Sequence, residues 1–167
     1  NYADRTNLIP MYSALNTAIR AVDTETLVFF QPIAGNEASS PLQSGFNGPS
    51  PFNGAFSNNT VFAYHIYCVA ATQNGDPSNP ILEKICAAAN GLQITARERD
   101  GGRIGIPTFV TEFGATSGST VLSNEYLAST VDQIANAGAS WMYWQFKLYG
   151  DFTTSGSDEA LYNGDGK

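Results

Sequence analysis

The sequence is poor in positive charge, with 8 Lys and Arg against 15 Asp and Glu in 167 residues and a formal net charge of −7. No basic face is available to neutralise phosphates or anionic headgroups, which makes nucleic acid and membrane surfaces poor candidate partners. Long hydrophobic runs are missing too. The longest apolar stretches are strand-sized, far short of the roughly 20 residues a membrane-spanning helix needs, so no transmembrane segment is expected. One histidine and two distant cysteines do not make a zinc set, so no metal site is expected. Nothing in the chain has the Gly-rich turn that a nucleotide-binding sheet places after its first strand.

What is present suffices for one sizeable core: 43% hydrophobic and 12% aromatic residues are ordinary for a folded domain. Cys68 and Cys86 fit a single disulfide in an oxidising compartment, and Asn58-Asn59-Thr60 offers a glycosylation acceptor at Asn58. Together they favour a secreted or lysosomal protein; two buried thiols and a chance sequon are the plainer alternative. The chain opens at Asn1 without a methionine or signal peptide and closes on a polar, Gly-rich tail, so both ends are expected to be cuts.

Leu8, Met11, Tyr12, Leu15, Ile19 and Val22 recur at helical spacing, which predicts an amphipathic helix over about 7–22. Thr26–Pro32 has the continuous apolar character of a strand buried on both faces, as in parallel sheets. Residues 33–59, rich in Gly, Pro, Ser and Asn, read as a long loop, with Phe46, Phe52 and Phe56 as a lip for a lipid tail or as pins to the fold. Val61–Cys68 is a second strand. Asn79-Pro80 caps a helix running towards Arg99, which Gly101-Gly102 should break before a third strand, Ile106–Glu112. Ser123 should open a helix that Gly138 closes, and Trp141–Phe146 is the last strand. Alternating strands and helices specify a parallel α/β architecture, either an open doubly wound sheet or a slice of an eight-stranded barrel. Polar, chemically capable residues gather where strands end, which favours the barrel.

Glu112 ends an apolar strand beside Gly114, where burial of a carboxylate is costly without a role. By the two-residue period Thr108, Val110 and Glu112 share a face that would carry Glu112 into a barrel mouth. A structural ion pair with a neighbouring loop is the other reading. His65 and Tyr67 are also two apart, near a strand end, where a phenol can orient and stabilise a carboxylate; a satisfied core histidine is the alternative. Trp141-Met142-Tyr143-Trp144-Gln145-Phe146-Lys147 offers aromatic faces for stacking on a sugar, or core.

In combination, the strands ending His-Ile-Tyr-Cys and Thr-Glu-Phe-Gly, and the one reading Trp-Met-Tyr-Trp-Gln, resemble the sixth to eighth strands of a glycoside hydrolase family 5 barrel. Leu15–Asp23 resembles the fourth helix of its endoglycoceramidase-like branch and Leu27–Pro32 the fifth strand, and a cysteine after His-Ile-Tyr with a partner in the next helix resembles that branch too. The resemblance implies an α/β fold, a (β/α)8 TIM barrel of which this chain supplies roughly strands 5 to 8 with the intervening helices. It implies a retaining β-glycosidase without a cofactor, acting on carbohydrate or glycolipid, most closely on glycosphingolipids. Glu112 would be the nucleophile, His65 and Tyr67 its supports, and Trp144, Gln145 and Lys147 the substrate contacts.

Retaining chemistry needs a second carboxyl about 5 to 5.5 Å from the first. Family members carry it in an Asn-Glu-Pro segment ending the fourth strand, expected before Asn1; Asn36-Glu37 imitates the pair but is followed by Ala-Ser. Residues 1–167 are therefore expected to be the C-terminal half of a catalytic barrel, without its N-terminal half or an appended β-sandwich. Half a barrel leaves open sheet edges, so complementary pieces of the same precursor are expected as partners. A β-glucanase of the same family, and a catalytically silent barrel serving storage, structure or carbohydrate binding, are the rival readings.

Overall fold

The computed structural model describes residues 4–32, 58–68, 77, 79–114, 116, 120–147 and 160–162. A wide π-helical turn, Asp4–Leu8, leads into helix α1, Ile9–Arg20. Strand β1 is Val28–Phe30 and strand β2 is Thr60–Ile66. Helix α2, Pro80–Ile104, separates β2 from strand β3, Thr108–Phe113. Helix α3, Val121–Ala137, follows and leads to strand β4, Ser140–Trp141. The four strands form one sheet in the order β1-β2-β3-β4. β1 and β2 pair in parallel, Val28 opposite Thr60 and Phe30 opposite Phe62, and a further parallel bridge joins Gly114 to Trp144. This is the parallel arrangement with helical crossovers that the alternating pattern predicts. The expected loop with Phe46, Phe52 and Phe56 lies outside the described residues, apart from its last two positions.

Local chemistry explains most boundaries. Asn79 Oδ1 accepts from the backbone N–H groups of Ile81 and Leu82, both at 3.0 Å, with Pro80 at the first helical position of α2. α3 starts with a capping box between Thr120 and Ser123 and ends at Gly138 with φ 74°, a left-handed conformation that suits glycine. Ser123 therefore sits three residues inside the cap rather than at it, because the Thr120 hydroxyl takes the capping role.

Two compact units are drawn from these elements, one from Asn1–Tyr64 and Thr95–Phe109, the other from His65–Ile94 and Val110–Lys167. The first has a core of Phe30, Phe62, Ile104 and Ile106, with Leu8, Ile9 and Tyr12 packed against it. Tyr64 and Thr108 each donate to a different oxygen of Glu98, both at 2.7 Å. Burial, reinforced by that carboxylate, pushes the Tyr64 phenol far above its ordinary range. Arg20 closes α1 by donating to the carbonyls of Asp23, Thr26 and Asn59. Beside β1 lies an apolar cavity of about 130 Å³ lined by Tyr12, Leu15, Asn16, Ile19 and Phe29 among others. Asn16 is buried there with neither amide atom hydrogen-bonded among the described residues.

In the second unit Asn90 of α2 donates to the Tyr126 hydroxyl at 2.9 Å and to Thr130 Oγ1 at 3.0 Å. Phe113 meets the rings of Trp141 and Tyr143 edge-on, with centroids 5.3 and 5.5 Å away.

Three expectations change. α2 continues through Gly101 and Gly102 to Ile104, and the chain turns only at Gly105, φ 80°. Gly101 is there for close approach: a Cβ would collide with the Thr108 methyl group. The last strand is cut to Ser140–Trp141, and Trp141, Met142 and Phe146 stay about half exposed or more instead of forming core. Strict alternation also fails along β3, whose buried positions Val110 and Phe113 fall three apart. Thr108, expected to share the face of Glu112, instead donates to Glu98 of α2.

Candidate active site

β2 is buried at every position except His65, which is the first of its residues that solvent reaches. Its continuous apolar run carries the chain to Ile66, and Tyr67 and Cys68 follow directly. Glu112, the penultimate residue of β3, meets this end of β2. The Tyr67 hydroxyl donates to Glu112 Oε2 at 3.1 Å, and His65 Nδ1 lies 3.1 Å from the same oxygen. The two-residue spacing of His65 and Tyr67 puts both on one face, and both reach one carboxylate.

Both side chains converge on Oε2, and Oε1 has no hydrogen bond among the described residues. The side chains of His65 and Glu112 are 24% and 25% exposed. That leaves a partly exposed carboxylate fixed through one oxygen. A residue held in this way can act as a nucleophile, or stabilise a positive charge developing in front of it.

The chain beyond Glu112 is shaped by glycine. Gly114 has φ 142°, and a Cβ there would strike the Trp144 carbonyl oxygen and approach the Tyr143 ring to 3.0 Å. With this close passage, Trp144 N–H donates to the Phe113 carbonyl at 2.9 Å, seating the Trp144 backbone beside the residue after Glu112. The Trp144–Gln145 peptide is cis. Trp144 is partly buried, and no hydrogen bond or ring contact joins its side chain to Glu112 among the described residues. Gln145 is 5% exposed, with its Nε2 donor unpartnered among the described residues. Lys147 is exposed, bridges to Tyr162 through the backbone and makes no ion pair among the described residues. The structure thus brings Glu112, His65 and Tyr67 into contact and Trp144 alongside by its main chain, while among the described residues no hydrogen bond or ion pair joins Gln145 or Lys147 to them.

Cys68 and Cys86 form the disulfide, Cα to Cα 5.2 Å, so the two-thiol reading does not hold. Asn58 is exposed in the turn before β2. Glu37 lies outside the described residues. Among the described residues no group of three or more His, Cys, Asp or Glu is placed to hold a metal ion, and no helix is long and apolar enough to cross a membrane. The pairing of Asn90 with Tyr126, taken up below, left no local signal, because its partners lie 36 residues apart in sequence.

Residues 3–150 match the family model described as Cellulase (glycosyl hydrolase family 5). An endoglycoceramidase of Cyanea nozakii is 29% identical over 148 residues, which is 89% of this chain and 25% of that protein. Among solved structures, endo-glycoceramidase II from Rhodococcus sp. superposes with a TM-score of 0.75 at 20% identity, covering 98% of this chain and 34% of that one. The Pseudomonas stutzeri endoglucanase Cel5A gives 0.62 at 17% identity, covering 93% and 46%. The chain thus spans a quarter of the curated relative and about a third of the Rhodococcus protein, as a fragment of a (β/α)8 barrel.

Proposed function

The chain belongs to the cellulase family, glycosyl hydrolase family 5, and from that membership we propose a retaining β-glycosidase acting on glycosphingolipids, with Glu112 as its nucleophile. The observation that carries this reading is the convergence of His65 and Tyr67 on Oε2 of Glu112, which leaves Oε1 free to attack. In the first step Oε1 bonds to the anomeric carbon as the bond to the aglycone oxygen breaks. The electron pair leaves on that oxygen, which takes a proton from a second carboxylic acid. In the second step a water gives its proton to the resulting carboxylate and attacks the anomeric carbon, releasing the Glu112 carboxylate. Trp144, seated beside the end of β3, is the platform for the sugar at the cleavage site. Gln145, whose buried Nε2 has no partner among the described residues, and Lys147 supply further polar contacts to substrate.

The Rhodococcus protein supports the covalent step and the lipid class, having been solved as a lactosyl-enzyme intermediate and as a ganglioside GM3 complex. The family's β-glucanase activity is the second reading, favoured by the likeness to the endoglucanase Cel5A. The glycolipid reading is preferred because the endoglycoceramidase likenesses are stronger in both sequence and fold.

The acid/base carboxyl belongs to polypeptide that completes the barrel ahead of Asn1, and residues 1–167 are its C-terminal half. Two features support a complementary piece: among the described residues β1 has a single strand neighbour in the sheet, and beside it the Asn16 amide lies buried and, among the same residues, unpartnered at an apolar cavity. The disulfide supports an oxidising, secreted or lysosomal setting, with Asn58 as the glycosylation site.

The test is Glu112→Gln in the full-length natural protein, assayed on an aryl β-glycoside and on a ganglioside. The amide is nearly isosteric but a poor nucleophile, so turnover should disappear with the fold intact; retained turnover would sink the mechanism.

A further inference from the structure

Taking Glu112 as the nucleophile, the position of Tyr67 becomes a catalytic quantity. Its hydroxyl lies 3.1 Å from Oε2, already long for a bond between oxygens, whose preferred separation is about 2.7–2.8 Å. A displacement of a few tenths of an ångström at the end of β2 is enough to lose it. What holds that end is the next residue. Cys68 is bonded covalently to Cys86, a fully buried residue of α2. One helical turn on from Cys86, Asn90 of α2 donates to the hydroxyl of Tyr126 on α3.

Tyr126 is itself pinned. It is 2% exposed, and Asn90 and Thr130, 0% and 2% exposed, surround its hydroxyl. Asn90 Nδ2 donates to Tyr126 Oη and to Thr130 Oγ1, and Thr130 Oγ1 donates to the Tyr126 carbonyl at 3.0 Å. As a stabilising device this cluster is poor, because Asn90 Oδ1 stays buried without a partner among the described residues and apolar side chains would fill the same space without that penalty. What the polar cluster supplies, and an apolar one does not, is a directional hold of α2 on α3 one turn from Cys86, which is bonded to the residue that follows Tyr67.

We propose that Tyr126 and the Cys68–Cys86 bridge are positioning residues: together they clamp the end of β2 so that the Tyr67 hydroxyl stays on Oε2 of Glu112 and Oε1 remains free for the sugar. They act through Tyr67 and touch no reacting atom. The clamp rests on the assignment of Glu112 made above.

The test uses Tyr126→Phe, Tyr67→Phe, the double variant Y67F/Y126F and Glu112→Gln in the full-length natural protein, with an aryl β-glycoside as substrate. Rates are expressed per active site, titrated with a 2-deoxy-2-fluoro glycoside so that partly unfolded protein does not count. Tyr126→Phe should lower kcat about tenfold with KM within about twofold, and Y67F/Y126F should be no slower than Tyr67→Phe alone. Should Tyr126→Phe not fold, mild reduction of the bridge gives the same readout: kcat per site falls and returns on reoxidation. An unchanged kcat, or losses from the two tyrosines that multiply, overturns the clamp. If Glu112→Gln abolishes turnover while the clamp variants keep full kcat, this inference alone fails; if Glu112→Gln retains turnover, the nucleophile assignment fails with it.

Discussion

Tyr67 and Glu112 are joined by a hydrogen bond of 3.1 Å in which the phenol donates to Oε2, the oxygen that His65 Nδ1 also faces at 3.1 Å. One carboxylate oxygen is thereby occupied and the other left for chemistry. Both groups come from the end of one strand, so the orientation of Glu112 depends on where β2 stops as much as on β3.

Replacing Tyr67 by Phe removes one hydrogen bond to an anion and leaves the ring in place. Such bonds contribute about 1.5–3 kcal/mol, so kcat should fall by about ten- to a hundredfold with the thermal midpoint nearly unchanged. Steady-state kinetics with a melting curve check this; a rate within about twofold of the parent would show that Tyr67 does not support the carboxylate.

Gly101→Ala tests the close passage of α2 over Thr108. Alanine improves helix propensity by about 1 kcal/mol, but its methyl group meets the Thr108 methyl. Thr108 cannot rotate away without losing its 2.7 Å bond to Glu98. The clash should win, lowering stability by about 1–3 kcal/mol in denaturant unfolding. Adding Thr108→Ser removes the obstructing methyl and keeps the hydroxyl, and should restore most of the loss.

Asp23 sits in the turn after α1, its Oδ1 accepting from the backbone of Glu25 at 3.0 Å and of Thr26 at 2.9 Å. The side chain of Thr26 first, then these backbone groups, hold its carboxyl down at about 2 against an ordinary 3.8. A depressed folded value means that Asp23 stabilises the fold above the unfolded value, and that this is lost as pH falls through about 2. Carbon-detected NMR of the carboxyl should give a midpoint near 2, and Asp23→Asn should flatten the acid side of the stability profile.

The sequence pattern made the chemistry at the strand ends legible because it depends on short spacings. His65 and Tyr67 two apart, and Glu112 at the end of an apolar run, needed only the strand period. Asn79-Pro80 and Gly138 were legible because caps are local. Gly101-Gly102 misled, since a glycine that ends a helix and one that admits a neighbouring strand look alike until the neighbour is known. β3 departs from alternation at Val110 and Phe113, and Thr108 goes with Glu98 as a result. The Asn90–Tyr126–Thr130 cluster, with partners 36 and 40 residues apart, and the burial of Gln145 are set by packing alone and leave no periodic trace.

The central claim is that Glu112 attacks the anomeric carbon. Its most direct measurement is to treat the full-length natural protein with a 2-deoxy-2-fluoro β-glycoside carrying a good leaving group, then map the modified peptide by mass spectrometry. The account predicts one sugar per active site, attached to the peptide that contains Glu112 and absent in Glu112→Gln. A label on another carboxylate, or turnover of the natural substrate by protein that this reagent never labels, would contradict it.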